Sequence, residues 1–190
     1  MAEIKRRLLI GMSGASGAPL TVELLKQLQK KENIETHLII TRGAEMTLRQ
    51  ETDLSLDEVR ALADVFYEND CIGARPASGS FCMEGMIIVP CSMKTVAGIV
   101  SGYSDNLLLR AADVTLKERR KLVMVARESP FGTIHLRNLY EISQMGGIVM
   151  PPMMTYYHRP KSVEECTLHM VERILRQFDL SEDTYEWEGM

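Results

Sequence analysis

The strongest constraint on the fold is an alternation of short apolar runs with longer amphipathic stretches along the chain. The apolar runs are nearly continuous in aliphatic residues, which is typical of parallel strands covered by helices on both faces. These runs are RLLIGM (7–12), THLIIT (36–41), GMIIVP (85–90), KLVMVA (121–126) and GGIVMP (146–151). Helical periodicity occupies 19–30, 43–50, 57–63, 92–101, 106–118, 132–145 and 162–178. The alternation predicts right-handed crossovers and a doubly wound α/β sheet.

Length and charge predict one domain and disfavour several classes of partner. The chain has 190 residues, enough for a single domain, 1–190, with a substantial core. Its formal net charge is −4, so nothing global favours nucleic acid or an anionic membrane surface. No apolar run approaches the ~20 residues of a membrane-spanning helix. Four cysteines without metal-binding spacing, and an N-terminus unlike a signal peptide, predict a cytoplasmic protein with reduced thiols.

The segment GMSGASGA (11–18) follows the first strand and is rich in small residues. Ligands of open parallel sheets bind at the carboxyl ends of the strands, so this loop is a candidate site. Its glycines follow G-x-x-G-x-x-G, which departs from the dinucleotide fingerprint, and the second strand ends in Thr41 and Arg42 without a ribose-binding carboxylate. Backbone N–H groups at the start of the next helix would still favour an anion, such as a phosphate. A plain tight turn is the alternative.

The segment PCSMKTVAG (90–98) follows the third predicted strand and also favours an anion. Ser92 is placed to cap the next helix, and Lys94 falls in its first turn. A cation at that position opposes the helix dipole and is stabilised by a nearby anion. Cys91 is interpreted as a packed thiol rather than a nucleophile, because no histidine lies beside it in sequence.

The later loops add ionisable groups whose roles the residues alone leave open. Arg127 and Glu128 end the fourth predicted strand and form either a structural ion pair or part of a site. Arg110 and Lys117 are seven residues apart and share one face of a helix, where charges are usually solvated. The segment MPPMMTYYHRP (150–160) offers aromatic and polar groups, among them His158 as either a base or a structural histidine.

Taken together, these motifs resemble the flavin prenyltransferase family of the UbiX type. The similarity covers about residues 6–178 and is carried, in order, by GMSGASGA, ETHLIIT, ASGSF, PCSMKT, RAADVTLKERRKLV, ARESPFGTIHL and MPPMMTYYHRP. The resemblance implies a three-layer Rossmann-like or flavodoxin-like fold and large homo-oligomers, typically dodecamers. It implies transfer of a dimethylallyl group from dimethylallyl monophosphate to reduced FMN, with new bonds at N5 and C6. The prenylated FMN then serves a UbiD-type decarboxylase.

The same resemblance implies a role for particular residues and no metal. The residues matching FMN contacts are Gly14, Ala15, Ser16, Thr41, Cys91, Ser92, Met93, Lys94 and Arg127. Those matching contacts to the prenyl donor are Tyr157, Arg173, Arg110, Lys117 and Trp187. Those matching catalytic residues are Glu128, Ser16, Lys117 and Glu51.

The chemistry of prenyl transfer suits these residue types. Arg110, Lys117 and Arg173 are expected to converge on the leaving phosphate, and Glu128 to move a proton to or from it. Glu51 and Trp187 match residues that neighbouring subunits contribute, so the tail 179–190 is expected to dock on a neighbour. Thr41 stands where the family usually has serine and keeps the hydroxyl.

Two alternatives remain open from the sequence. One is a cysteine-peptide decarboxylase of the same flavoprotein superfamily, although PCSMKT stands where that group carries an asparagine-rich motif. The other is a non-catalytic FMN-binding accessory subunit of an aromatic-acid decarboxylase. The accessory-subunit alternative differs from the prenyltransferase reading in that the mass of the flavin stays unchanged after reaction.

Overall fold

The computed structural model describes residues 5–182 and Gly189. Its strands are β1 (Arg6–Met12), β2 (Ile34–Ile40), β3 (Val65–Glu68), β4 (Gly85–Cys91), β5 (Lys121–Ala126) and β6 (Ile148–Val149). Its helices are α1 (Ala18–Gln29), α2 (Arg42–Glu51), α3 (Leu56–Arg60), α4 (Met93–Val100), α5 (Leu107–Lys117), α6 (Thr133–Gln144) and α7 (Val163–Arg176). A 3₁₀ turn, Arg75–Ala77, lies between β3 and β4.

The six strands form one parallel sheet in the order β3-β2-β1-β4-β5-β6. The chain builds outward from β1 to β3, then returns to the other side of β1 and continues to β6. The strand order therefore reverses between β1 and β4, which is the topological switch point of a Rossmann-like sheet. This confirms the predicted doubly wound α/β class.

Side chains alternate along the strands between two cores, one on each face of the sheet. In β1, Leu8 and Ile10 belong to the first core and Leu9 to the second. Helices α1, α2, α3 and α7 cover the first core, and α4, α5 and α6 cover the second. Each fully buried aliphatic side chain contributes about 1.5–3 kcal/mol, so both faces need their helices. The three layers follow from this two-sided burial.

The sequence prediction was wrong about the sheet edges. Strand β3 was not predicted, and its four residues Val65–Glu68 are half-buried or exposed rather than continuously buried. Strand β6 keeps only Ile148–Val149 of the predicted run 146–151. The predicted helix 57–63 ends earlier, as α3 at Arg60. The other helices were predicted to within two residues of their observed bounds.

The beginning of the tail packs on its own chain. Leu180 is buried, and the hydroxyl of Ser181 donates to Oε2 of Glu172 on α7 at 2.7 Å. Glu182 pairs with Lys31 just after α1. Trp187, which was expected to reach a neighbouring subunit, lies outside the described residues.

Within the described part of the chain, no helix has the length and apolar character to cross a membrane.

Candidate active site

A cleft of about 280 Å³ opens at the carboxyl ends of the central strands, beside the switch point between β1 and β4. Segments following β1, β2, β3 and β4 line it together with the start of α5. Its lining residues are Ser13, Gly14, Thr41, Arg42, Gly43, Asn69, Ser92, Lys94, Thr95, Asn106, Leu108 and Leu109. The structure thus brings together Gly14, Thr41, Ser92 and Lys94, which come from three separate motifs of the sequence.

Ser13 ties the loop after β1 to the end of β4. Its hydroxyl accepts a hydrogen bond from the backbone N–H of Ser92 at 2.8 Å and donates to the carbonyl of Pro90 at 3.2 Å. The backbone N–H of Ser13 also donates to Pro90, at 3.1 Å. The side chain of Ser13 is buried, so its hydroxyl can satisfy these groups without competition from water. Sequence reasoning did not assign Ser13, since its partners are distant in the chain.

Two helices begin at the cleft, and both are capped by hydroxyl side chains. Thr41 accepts from the N–H of Ala44 at the start of α2, and Ser92 accepts from the N–H of Thr95 at the start of α4. Helix N-termini carry a partial positive charge, and here Arg42 and Lys94 add two full charges. The first turn of α4 has no acidic residue to offset Lys94. This part of the cleft is built for an anion.

The backbone of Gly14 lies so close to the start of α2 that no residue with a Cβ atom would fit there. A Cβ atom added to Gly14 would lie 2.9 Å from the carbonyl carbon of Gly43 and 3.0 Å from its Cα. Both partners are backbone, so neither can swing away. The contact brings two backbone segments to the floor of the cleft, where they leave room for a ligand that lies against the peptide groups.

Two asparagines that sequence reasoning missed complete the far wall. Asn69, just after β3, accepts from the N–H groups of Leu107 and Leu108 through its backbone and side-chain oxygens at 2.8 and 3.1 Å. Asn106 caps α5 by accepting from the N–H of Leu109 at 3.0 Å. Together they fix the start of α5 against the cleft. The only local signal was an asparagine before an apolar helical run, which is typical of a cap.

The N-terminus of α1 is occupied by the chain's own carboxylate, which corrects the expectation that it binds a ligand anion. Oε2 of Glu51, the last residue of α2, accepts from the N–H groups of Gly17 and Ala18, both at 2.8 Å. Pro19 has no N–H, and the N–H of Leu20 donates to the carbonyl of Gly17. The first-turn donors of α1 are therefore satisfied internally.

Glu51 also interacts with the hydroxyl of Ser16 and with the charge of Arg127 at the same loop. Partial burial opposes its ionisation, but the N–H of Gly17, the hydroxyl of Ser16 and the N–H of Ala18 outweigh that effect and lower its pKa, with help from the charge of Arg127. The backbone of Arg127 is fixed by its N–H, which donates to the carbonyl of Cys91 at 3.0 Å. Ser16, Glu51 and Arg127 thus form a second polar group next to the cleft.

Cys91 and Met93 lie beneath the cleft rather than in it. The side chain of Cys91 is fully buried in the second core, and burial raises the pKa of its thiol far above the ordinary value. Met93 packs in the same core and is 8% exposed. The side chain of Cys91 is therefore closed to a ligand, that of Met93 is nearly so, and the thiol of Cys91 is not a nucleophile.

Tyr157 and Arg173 lie at the surface, on the β6–α7 segment and on α7. The hydroxyl of Tyr157 is 3.2 Å from Nε2 of His169, and Tyr157 is 47% exposed. Arg173 is exposed. Glu128 follows Arg127 at the end of β5, and its Oε1 accepts from the N–H of Ser129 at 3.0 Å.

Arg110 and Lys117 do not converge with Arg173 within one chain. Arg110 and Lys117 lie on α5, which packs on the second core, whereas Arg173 lies on α7, which packs on the first. Arg110 contacts Asp113 at 2.6 Å and the carbonyl of Ala77 at 3.2 Å, and Lys117 contacts Glu118 at 2.5 Å. The sheet lies between the two helices, so the three cations come from opposite faces of the chain.

The residues of the cleft fit a phosphate-bearing planar cofactor. Two helix N-termini, Arg42 and Lys94 suit the phosphate, and the close contact of Gly14 with Gly43 opens the floor to a flat ring. Leu108 and Leu109 supply apolar surface on the opposite wall. In the described part of the chain, no group of three or more histidine, cysteine, aspartate or glutamate side chains is arranged to hold a metal ion.

The fold and the cleft define an α/β protein with a nucleotide-type cofactor site at its switch point. The sequence matches the model of the flavoprotein family over residues 2–176. It is 50% identical over 96% of its length to a probable UbiX-like flavin prenyltransferase of Sedimentibacter hydroxybenzoicus, of which it covers 97%. The chain belongs to the flavoprotein family and, within it, to the UbiX-type flavin prenyltransferases.

Two solved structures are similar over almost the whole chain. One is described as a dodecameric FMN-dependent UbiX-like decarboxylase from Escherichia coli O157:H7. Its TM-score is 0.94 and its sequence identity is 48%, and the match covers 97% of this chain and 100% of that chain. The other is AnUbiX (PadA1) in complex with FMN and dimethylallyl pyrophosphate; the TM-score is 0.92 and the identity 45%, with the same coverages. The descriptions of both structures include FMN.

Proposed function

We propose that this chain is a flavin prenyltransferase that transfers a dimethylallyl group from dimethylallyl monophosphate to FMN and acts in the cytoplasm. Reduced FMN supplies the nucleophilic N5 and C6 positions at which the new bonds form, and the prenylated FMN serves a UbiD-type decarboxylase. The observation that carries the proposal is the anion-binding cleft at the switch point, in a chain of the UbiX type. The same family membership sets aside the cysteine-peptide decarboxylase alternative.

The cleft holds the cofactor without covalent attachment. Thr41 and Ser92 hold the starts of α2 and α4 towards its phosphate, and Lys94 supplies a charge. Gly14 and Ala15 bring backbone close to the ring system, as do the backbone atoms of Cys91 and Met93. Arg127, whose backbone N–H donates to the carbonyl of Cys91, adds a guanidinium from the end of β5, and its charge helps to lower the pKa of Glu51.

The donor lies on the other side of the β1–α1 loop, where Ser16 and Glu51 meet Arg127. Tyr157 and Arg173 bind the phosphate of the donor, by a hydroxyl and a guanidinium. As the bond between the allylic carbon and the phosphate oxygen breaks, these groups stabilise the charge on the leaving phosphate. Glu128 exchanges a proton with that phosphate.

The separation of Arg110 and Lys117 from Arg173 by the sheet supports a site shared between subunits. In a closed homo-oligomer, the α5 surface of one subunit can face the α7 surface of another and complete the cationic site. A homododecamer is the proposed assembly. The complete site would then combine Tyr157 and Arg173 of one subunit with Arg110 and Lys117 of a neighbour.

The test of the proposed function is the mass of the flavin after reaction. Protein, reduced FMN and dimethylallyl monophosphate are mixed without oxygen, and the molecular mass of the extracted flavin is measured by mass spectrometry. We expect a flavin heavier by one dimethylallyl unit. A flavin of unchanged mass, with FMN still bound, would favour the alternative of a non-catalytic accessory subunit of an aromatic-acid decarboxylase.

The test of the shared site is complementation between two inactive variants. Arg110→Ala and Arg173→Ala are each expected to lose most of the transfer activity as pure oligomers. Mixed oligomers, made by co-expression with different tags, contain some sites with both arginines intact and are expected to regain activity. Mixed oligomers that stay as inactive as the pure variants would show that both arginines act from the same chain.

A further inference from the structure

Tyr157 is held at the surface by a histidine of the neighbouring helix. Its hydroxyl is 3.2 Å from Nε2 of His169, and the two rings meet edge to face with centroids 5.8 Å apart and planes at 80°. The ring of His158 also meets that of Tyr157 edge to face, with centroids 5.7 Å apart and planes at 72°, and Tyr157 is 47% exposed. The hydrogen bond to His169 and the ring contacts with His169 and His158 favour one orientation of a phenol that is half-exposed.

The orientation of His169 is itself fixed by a second histidine. The ring of His158 stacks on that of His169 with centroids 4.1 Å apart and planes at 20°. Nδ1 of His158 is 3.1 Å from the hydroxyl of Thr155, which ties this ring to the β6–α7 segment. The imidazole of His169 therefore cannot turn freely about the helix, and its Nε2 faces the phenol of Tyr157.

His169 and Arg173 lie on the same face of α7, since they are four residues apart. Side chains at that spacing stand one above the other along a helix. A phenol anchored on His169 is therefore placed one turn from the guanidinium of Arg173. This is the spacing needed for a hydroxyl and a guanidinium to reach oxygens of one phosphate group.

We propose that His169 is a positioning residue for Tyr157, which holds the phenol in place to bind the phosphate of the prenyl donor beside Arg173. The inference rests on the proposed function, because it takes Tyr157 and Arg173 as the contacts of that phosphate. When Nε2 of His169 carries the proton, it donates to the phenol oxygen, and the phenol O–H donates onward to a phosphate oxygen. In this role the histidine acts on the donor through Tyr157.

Two variants of His169 and one control variant of Thr167 test the proposal. His169→Phe keeps an aromatic ring against Tyr157 and His158 but removes Nε2. His169→Gln keeps a side-chain N–H within reach of the phenol. Thr167→Val is the matched control, because it removes a side-chain hydrogen bond on the same helix, to the carbonyl of Val163, that does not involve Tyr157.

The readout is the affinity of the FMN-loaded protein for dimethylallyl monophosphate, measured by calorimetry, beside kcat and FMN affinity. We expect His169→Phe to raise the Kd of the donor roughly three- to tenfold, as for one hydrogen bond, and to lower kcat no more than Tyr157→Phe does, with FMN affinity nearly unchanged. His169→Gln should recover most of the loss, and Thr167→Val should bind the donor as the wild type does. Unchanged donor affinity in His169→Phe, or a parallel loss of FMN, would overturn the proposal.

A double-mutant cycle separates positioning from an independent effect. If His169 acts through Tyr157, the double variant His169→Phe/Tyr157→Phe binds the donor no more weakly than Tyr157→Phe alone. Additive losses would contradict this. Wild-type protein that binds the donor but leaves the flavin mass unchanged would refute the proposed function, whereas turnover with an additive cycle would refute the role of His169 alone.

Discussion

Oε2 of Glu51 lies 2.8 Å from the backbone nitrogen of Gly17, so the end of α2 closes the loop that leads into α1. The contact makes Glu51 the N-terminal cap of a helix to which it does not belong. Gly17 has φ of 126°, a conformation that favours glycine, and this turn exposes its N–H to the carboxylate. The small residues of the β1–α1 loop are therefore organised by Glu51 before any ligand binds.

Replacing Glu51 tests its structural role. Glu51→Ala leaves the N–H groups of Gly17 and Ala18 without their acceptor, and we expect a loss of about 1–2 kcal/mol in the free energy of unfolding. Glu51→Gln keeps an oxygen acceptor and should lose less. Denaturant unfolding measures both, with Glu45→Gln, on the same helix, as the control. Equal stability of Glu51→Ala and the control would contradict the capping role.

Because the pKa of Glu51 is lowered, its contribution to the free energy of unfolding depends on pH. A carboxyl whose folded pKa lies below the ordinary 4.5 contributes stability that is fully present above 4.5 and is lost as pH falls through the folded value. The stability difference between wild type and Glu51→Gln should therefore shrink as pH falls below 4.5. Unfolding curves at a series of pH values measure it, and a difference that grows on acidification would have the wrong sign.

The contact of Gly14 with Gly43 predicts a strong effect from one methyl group. Gly14→Ala places a Cβ 2.9 Å from backbone of Gly43, so the β1–α1 loop and the start of α2 must separate, at a cost of about 1–3 kcal/mol. FMN affinity should fall with it. Gly73→Ala is the matched control, because a Cβ there meets nothing within 4 Å. Titration with FMN measures the affinity of both variants, and thermal unfolding measures their stability. A Gly14→Ala variant that equals Gly73→Ala in both would contradict the prediction.

The buried strands and the helix caps could be predicted from the sequence because their signals are local. The apolar runs of β1, β2, β4 and β5 are covered on both faces, and the predicted cap Ser92 acts within its own helix. Thr41 also caps its own helix, although it was predicted only as the end of a strand and as a flavin contact. Strand β3 could not be predicted in this way, since four half-exposed residues at a sheet edge carry no continuous apolar signal.

The parts of the site that depend on distant contacts could not be predicted. Ser13 acts on Pro90 and Ser92, and Asn69 acts on α5, so neither role is visible in the neighbouring residues. The spacing of Arg110 and Lys117 correctly gave one helix, but spacing along a helix does not say which face of the sheet that helix covers. Only the topology separates α5 from the α7 residue Arg173.

Arg127 is predicted to contribute to FMN binding. Its backbone is fixed to Cys91 at the end of β4, and its side chain is exposed beside the β1–α1 loop. We expect Arg127→Ala to weaken FMN roughly tenfold or more, as for a charge-assisted contact. Arg137→Ala, on α6, serves as the control. Fluorescence titration with FMN measures the effect, and an unchanged Kd in Arg127→Ala would remove this role.

Tyr157 and Arg173 are predicted to act on the donor and not on the flavin. Tyr157→Phe and Arg173→Ala should bind FMN as the wild type does and lower prenyl transfer, the arginine variant more because it removes a charge. The control is Arg176→Ala, which removes a charge one turn later on α7. The assignment is reversed if either variant loses FMN while its affinity for dimethylallyl monophosphate stays normal.

Prenyl transfer by this chain is expected to need no metal ion. Prenyltransferases that use a diphosphate commonly hold it through Mg²⁺ on aspartate-rich motifs such as DDxxD, and this sequence has no adjacent aspartates. The cations proposed for the leaving group are Arg110, Lys117 and Arg173, whose guanidinium and ammonium groups can neutralise a monophosphate by direct contact. We therefore expect full activity with dimethylallyl monophosphate in excess EDTA. The measurement is the initial rate of flavin prenylation with EDTA and with added Mg²⁺, and turnover abolished by the chelator and restored by Mg²⁺ would refute the metal-free mechanism.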